Sequence, residues 1–462
     1  MVTTATKRIA LPAGPILALS ATLLMTSSGT AADQAITVGI TLLCVIWWVF
    51  EPIPIPATSL LPLALLPMAG VITSKEVGQS YGHPLILLLL GGFLLSTALE
   101  KNGAHRRIAL LMVRLFGGSS SRRLVFGFMA ASALLSMWIS NTATTLMLLP
   151  VALAVLKDSR DPSLELPLLL GIAYAASIGG MGTPIGTPPN VIFMGIYEES
   201  TGTAISFAEW MTWGVPVVLV LLPLVGLWLT RGLHVQEQLK LPDPGPWQSR
   251  ELRVLLVFGF TALAWITRRE PFGGWAHLFN LPYTNDAMVA FFAVVALFIV
   301  PTGRGERTPL LDWDTANRIP WGMLILFGAG IAIAQAFNNS GLSSSIGDVL
   351  AQLADIPLFP LLLCICLVVT FLTETTSNTA TTTLLMPILA AAALAAALDP
   401  RLFMVPAAMS ASCAFMLPVA TAPNVIVFSS ERVPIDRMAR EGFALNLIGA
   451  GVIATMCYLL VR

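Results

Sequence analysis

Ser140, Asn141 and Thr142 lie in the middle of a stretch, 124–156, that contains no charged residue, and the same three types recur as Ser377, Asn378 and Thr379. Neutral hydroxyl and amide groups in apolar surroundings can do two kinds of work. Their oxygens, together with carbonyls of unwound backbone, ligate Na⁺. Their donors, with backbone N–H groups at half-helix N-termini, hold an anion without a basic side chain. The plainer role of such residues is to join helices inside a membrane. For isolated ones such as Ser132 and Thr261, that is the expectation.

The phrase Ser140-Asn141-Thr142-Ala143-Thr144-Thr145 returns as Ser377-Asn378-Thr379-Ala380-Thr381-Thr382 at an offset of 377 − 140 = 237, and over 140–150 the copies agree at 8 of 11 positions. The same offset pairs Ser136 with Thr373, both hydroxyls. A second phrase follows each copy after about forty-five residues: Thr187-Pro188-Pro189-Asn190-Val191-Ile192, then Thr421-Ala422-Pro423-Asn424-Val425-Ile426. Two phrases repeated in one order at nearly one spacing mark an internal structural repeat.

The elements that carry these phrases must be membrane helices. Apolar residues make up 56% of the 462 and charged residues 11%, with a mean hydropathy of +0.81. A soluble domain carries about a quarter charged residues. About 20 apolar residues cross a bilayer, and such runs fall near 10–28, 35–50, 54–72, 84–99, 166–195, 212–230, 252–267, 286–301, 319–337, 403–428 and 442–461. The fold class expected is an all-α integral membrane protein. Lys7 and Arg8 precede a first span rather than a cleaved leader, and Trp47-Trp48 reads as an interface marker. The five cysteines lie in apolar runs as packing residues, and the zero net charge gives no pointer to nucleic acid.

With a cytoplasmic N-terminus, 20 of the 25 Lys and Arg fall inside, leaving Lys75, Arg268, Arg269, Arg401 and Arg462 outside with the C-terminus. The uncharged stretch 124–156 would be about 50 Å long as one helix, too long for about 30 Å of hydrocarbon and too short for two crossings. It reads as a re-entrant hairpin with the polar triplet at its tip. Symmetry places a second hairpin between Asp355 and Asp399. Five spans separate them, and an odd number inverts the second repeat. Pro184, Pro188 and Pro189, and later Pro418 and Pro423, break two further spans. Arg106, Arg107 and Arg114 mark an amphipathic surface helix, with a stretch around Arg304–Arg318 as its expected counterpart.

The doubled Ser-Asn-Thr signature, the Thr373-Glu374 lead-in and the Thr-Pro-Pro-Asn and Thr-Ala-Pro-Asn loops resemble the divalent anion/sodium symporters over nearly the whole chain. The resemblance implies a homodimer of eleven-span protomers with two re-entrant hairpins, each with a scaffold and a mobile transport domain moving as an elevator. It implies one sodium site at Ser136, Ser140, Asn141 and Gly186, and a second at Thr373, Thr376, Asn378 and Ala420. Substrate would be held by Asn141, Thr142, Asn378 and Thr379, with Thr187 and Thr421 alongside. One position departs: Ala422 stands where the family's second loop usually has proline.

The implied organisation is scaffold over 1–121, transport elements over 122–211 (hairpin 122–157, broken helix 166–195) and scaffold with an interfacial helix over 212–354. Transport elements follow over 355–430 (hairpin 355–399, broken helix 403–428), with a last span over 431–462. No His lies inside a span and no nucleophile–base pair is evident, so catalysis is not expected. The expected activity is sodium-coupled uptake, in the plasma membrane, of a C4-dicarboxylate such as succinate, malate or fumarate. Two facing tips suit a ligand with an acceptor at each end. A sodium-independent exchanger, a citrate or sulfate carrier, and an anion channel are the alternatives.

Overall fold

The computed structural model describes residues 4–116, 120–159, 161–233, 245–269, 273–303, 308–350 and 357–461. Arg160, Lys240, Arg304, Arg307, Asp355 and Arg462, used above to assign sides and hairpin bounds, lie outside these residues. Among the described residues the regular elements are helical, apart from one isolated bridge between Pro301 and Pro309.

Helices α1 (Thr4–Ser27) and α2 (Ala32–Phe50) pack as a pair, with Trp47 Nε1 donating to Ala10 O at 3.2 Å. Trp48 is not an interface marker: it is buried and donates to Ser59 Oγ at 3.0 Å. The run 54–72 is not one span but two pieces, α3 (Ile55–Thr58) and α4 (Leu61–Met68). Pro62 has no N–H to give to Thr58 O, so the helix cannot run through. Next come α5 (Ser74–Tyr81), closed by a Thr73/Glu76 capping box, then α6 (Pro84–Lys101) and α7 (Ala104–Phe116).

The first hairpin is α8 (Ser121–Ser136) and α9 (Asn141–Asp158), and the first broken span is α10 (Glu165–Gly180) and α11 (Pro188–Thr201). Helices α12 (Phe207–Leu229), α13 (Ser249–Ile266), the short α14 (Gly274–Leu278), α15 (Asp286–Ile299), the one-turn α16 (Trp313–Ala316), α17 (Trp321–Asn339) and α18 (Leu342–Leu350) follow. The second hairpin is α19 (Leu358–Thr373) and α20 (Asn378–Ala395). The second broken span is α21 (Arg401–Ser410) and α22 (Ala422–Phe428), and α23 (Ile435–Leu460) closes the chain.

Eight helical stretches among the described residues are long and apolar enough to cross a membrane on their own. Of the other expected crossings, 54–72 and 403–428 are divided into shorter helices, while 252–267 and 286–301 are the single helices α13 and α15. The repeat is exact at the start of three helix pairs: α6 and α17 begin at 84 and 321, α8 and α19 at 121 and 358, α9 and α20 at 141 and 378, each 237 apart. By the same offset α7 corresponds to α18. The expected counterpart around Arg304–Arg318 is therefore misplaced; its described part is the Pro301–Pro309 bridge and α16, too short for an amphipathic surface.

The hairpins interlock across the repeats. The second arm of each packs on the second half of the other repeat's broken span, α9 on α22 and α20 on α11. Ion pairs respect the sequence-derived sides. Lys7–Glu51, Lys101–Asp312, Arg107–Glu251, Arg231–Glu441 and Arg432–Glu165 join a basic residue assigned inside to an acidic one at the same end of the expected spans, and Arg268–Asp286 and Arg401–Glu209 do so at the other end, where His83–Glu198 also lies.

Candidate functional site

Each hairpin tip is made by a serine that ends the turn and starts the second arm. Ser140 Oγ accepts from Ala143 N and Ser377 Oγ from Ala380 N, both at 3.1 Å, as N-cap side chains do. The second phrase works differently. Pro188 and Pro189 open α11 at positions where a missing N–H costs nothing. Asn190 Nδ2 donates back to Gly180 O at 2.9 Å and Thr183 O at 2.8 Å; Asn424 Nδ2 donates to Ala414 O at 2.9 Å and Leu417 O at 3.0 Å. These amides tie each unwound segment to itself.

Beside each tip lies a cluster of oxygens with too few protons. Ser136 Oγ is within hydrogen-bonding reach of Asn141 Oδ1 and, at 2.7 Å, of Ala176 O. Thr373 Oγ1 stands 2.7 Å from Asn378 Oδ1 and 3.0 Å from Ala411 O. One hydroxyl carries one proton, so only one of its two acceptors is served at a time. Two of these acceptors, the carbonyls of Ala176 and Ala411, lie in the last turn of α10 and at the C-cap of α21, where the helix dipole is negative. Gly186 adds to the first cluster's surroundings: a Cβ on Gly180 would lie 3.0 Å from Asn141 Oδ1 and 3.1 Å from Gly186 O. This chemistry fits a small hard cation. Neither the Ala176 nor the Ala411 carbonyl was legible in the sequence, since a carbonyl is common to every residue.

The hydroxyls of two residues implied as sodium ligands already have protein partners. Thr376 Oγ1 bonds to Leu372 O at 2.9 Å and Thr381 Oγ1 at 2.5 Å, and lines a separate cavity of about 180 Å³ against α2. The Ser140 hydroxyl serves its N-cap bond.

Between the clusters lies a cavity of about 500 Å³, within the usual range for small-ligand sites of about 300–1,000 Å³. Asn141, Thr142, Thr187, Asn378, Thr379 and Thr421 all line it, as do Ser140, Gly186 and Ala420. These residues open α9, α11, α20 and α22, so four helix N-termini face one space. The positive ends of four helices make that space favourable for an anion. Among the described residues no lysine or arginine lines it. On the other side stand Phe93 and Ser96 of α6 and Met323 of α17, which no motif singled out.

One buried charge supports the second cluster. Glu374 accepts from the backbone N–H groups of Phe415 (2.7 Å), Met416 (2.8 Å) and Leu417 (3.1 Å) and from Asn446 Nδ2 (2.7 Å). Its carboxylate gathers the orphaned donors of the unwound segment behind the site. Ser132, by contrast, joins helices only, donating to Ile172 O at 2.8 Å.

With this geometry in place, residues 45–406 match the citrate transporter family. The chain belongs to that family. It is 40% identical to the sodium-dependent dicarboxylate transporter SdcS of Staphylococcus saprophyticus, over 97% of this chain and 90% of the relative. It is 39% identical, over the same shares, to the protein of that name from Staphylococcus aureus strain bovine RF122. The resemblance to divalent anion/sodium symporters is thereby borne out, and the protein is a membrane transporter. The Alcanivorax borkumensis YdaH transporter structure shares the fold, at a TM-score of 0.59 and 14% identity over 86% of this chain and 87% of that one.

Proposed function

We propose that this transporter couples Na⁺ entry to uptake of a C4-dicarboxylate. The observation that carries the reading is the cavity onto which four helix N-termini open, flanked by two oxygen clusters with surplus acceptors. Sodium binds at Ser136, Asn141, Gly186 and the Ala176 carbonyl, and at Thr373, Asn378, Ala420 and the Ala411 carbonyl. The dianion is held by Asn141 and Thr142 at one tip and Asn378 and Thr379 at the other, with Thr187 and Thr421 beside them. Two bound cations balance two carboxylates, and each Asn links a cation to the anion. The names of the relatives support both ion and substrate class.

In this reading the transport elements over 122–211 and 355–430, α8–α11 and α19–α22, form the moving body and α6, α17 and the first helices the scaffold, in a plasma-membrane homodimer with cytoplasmic N-termini and C-termini outside. The bias of positive charge and the ion pairs confined to single faces support the orientation. The deciding experiment uses purified protein in liposomes. Succinate uptake should require an inward Na⁺ gradient and yield to excess malate or fumarate. Uptake driven equally well by internal dicarboxylate without sodium would make the protein an exchanger, and block by sulfate but not malate would overturn the substrate class.

A further inference from the structure

On the face that carries most of the basic residues, α7 meets the start of α13. Arg107 of α7 is buried there and fully engaged. Its Nε donates to Glu251 Oε2 at 2.6 Å, its Nη1 to Gly245 O at 2.9 Å and its Nη2 to Pro246 O at 2.6 Å, and the Trp247 ring covers the guanidinium at 4.7 Å. This residue pins the segment before α13 to the surface helix. Glu251 is also engaged, accepting from Gln248 N at 2.9 Å in the capping box of α13.

Two further guanidiniums remain. Arg106 and Arg250 line a cavity of about 260 Å³ next to the Arg107–Glu251 pair. Both are exposed, and neither has an ion-pair partner among the described residues. Since Glu251 is matched by Arg107, no acidic group among the described residues that line the cavity is left to pair with Arg106 or Arg250. Its surroundings are apolar on the membrane side: Leu111 and Leu115 of α7 and Leu252 and Leu256 of α13 are exposed. Trp247, half exposed at the same level, is the residue type that sits among lipid headgroups.

We infer that this cavity binds an anionic phosphate group, that of a membrane phospholipid, bridging Arg106 on α7 to Arg250 on α13. Basic pockets between helices at a membrane surface suit anionic headgroups. The planar fork of arginine matches phosphate oxygens. The exposed leucines on both helices give the acyl chains a surface continuous with the headgroup site, which favours a lipid over a free ion. This site is separate from the transport cavity and needs no assumption about the transported anion.

The test measures lipids retained by the purified full chain by native mass spectrometry, after exchange into mixed phosphatidylglycerol and phosphatidylcholine. The wild type should retain phosphatidylglycerol preferentially, and millimolar inorganic phosphate should not displace it. The double variant R106Q/R250Q should weaken that retention roughly tenfold or more. Its sodium-driven uptake in pure phosphatidylcholine liposomes should match the wild type. If the double variant does not fold, R250Q alone, at an exposed position, should still lower retention. Equal retention by wild type and variants, or no preference over phosphatidylcholine, overturns the site. Displacement by equimolar inorganic phosphate overturns the lipid as its occupant.

Discussion

The two broken spans perform one task by different means. In the first repeat the break between α10 and α11 is held by close backbone packing. A Cβ on Gly179 would fall 2.2 Å from Ala133 O, and one on Gly186 would fall 2.4 Å from Gly180 O. Thr183 Oγ1 closes the arrangement by donating to Met137 O. The second repeat has a longer break between α21 and α22, and alanine at 420 where the first has Gly186. There the equivalent of Met137 is Glu374 (137 + 237 = 374), whose carboxylate collects three backbone N–H groups. A short break can satisfy itself by packing, whereas a longer one frees more backbone donors and needs a buried acceptor. Nearly identical tips thus rest on unlike foundations.

That asymmetry is open to attack. The largest effect is expected from Glu374→Ala, which strands the buried N–H of Phe415 and the part-buried ones of Met416 and Leu417, at about 1–3 kcal/mol for a fully buried group. Sodium-driven uptake per folded protein should fall to background, while Met137→Ala should keep most of it. Normal uptake by E374A would remove the carboxylate from the account.

Gly186→Ala should come next. The new Cβ has backbone rather than a flexible side chain in its way, and overpacking of this kind costs about 1–3 kcal/mol. A loss of roughly tenfold or more in uptake is expected, with Ala420→Gly close to wild type. Equal tolerance at both positions would show that the repeats are held alike.

Asn141→Ala and Asn378→Ala should each raise the sodium concentration for half-maximal uptake by about tenfold, the equivalent of ~1.4 kcal/mol. Transport should weaken with it, because each amide is placed to serve cation and anion together. Unequal shifts would rank the two cation sites, and unchanged sodium dependence in both would refute the clusters as sodium sites.

The smallest effect concerns Ala422. Pro188, its counterpart, has no N–H, so only the second repeat can offer the cavity a backbone donor at the first position of the half-helix. Ala422→Pro removes that donor at a position where proline is well tolerated. The succinate concentration for half-maximal uptake should rise a few-fold, ~0.5–1.5 kcal/mol for one hydrogen bond, with thermal stability unchanged. No change would mean that this N–H does not meet the substrate.

Much of this was readable from residues alone. The absence of charge over 124–156 and the doubled Ser-Asn-Thr phrase located both hairpins, and the prolines near 188 and 423 located both breaks. Those signals survive in a linear string because they depend on length, charge and the missing N–H of proline, all local properties. Tertiary structure decided the rest. It bonded the Thr376 hydroxyl to Leu372 and Thr381, buried Trp48, and showed a helix at α18 rather than in the basic stretch near 304–318 as the repeat counterpart of α7. It also brought the carbonyls of Ala176 and Ala411 to Ser136 and Thr373. A backbone carbonyl has no side-chain signature, and whether it is free depends on where a helix ends and what stands opposite that end in space.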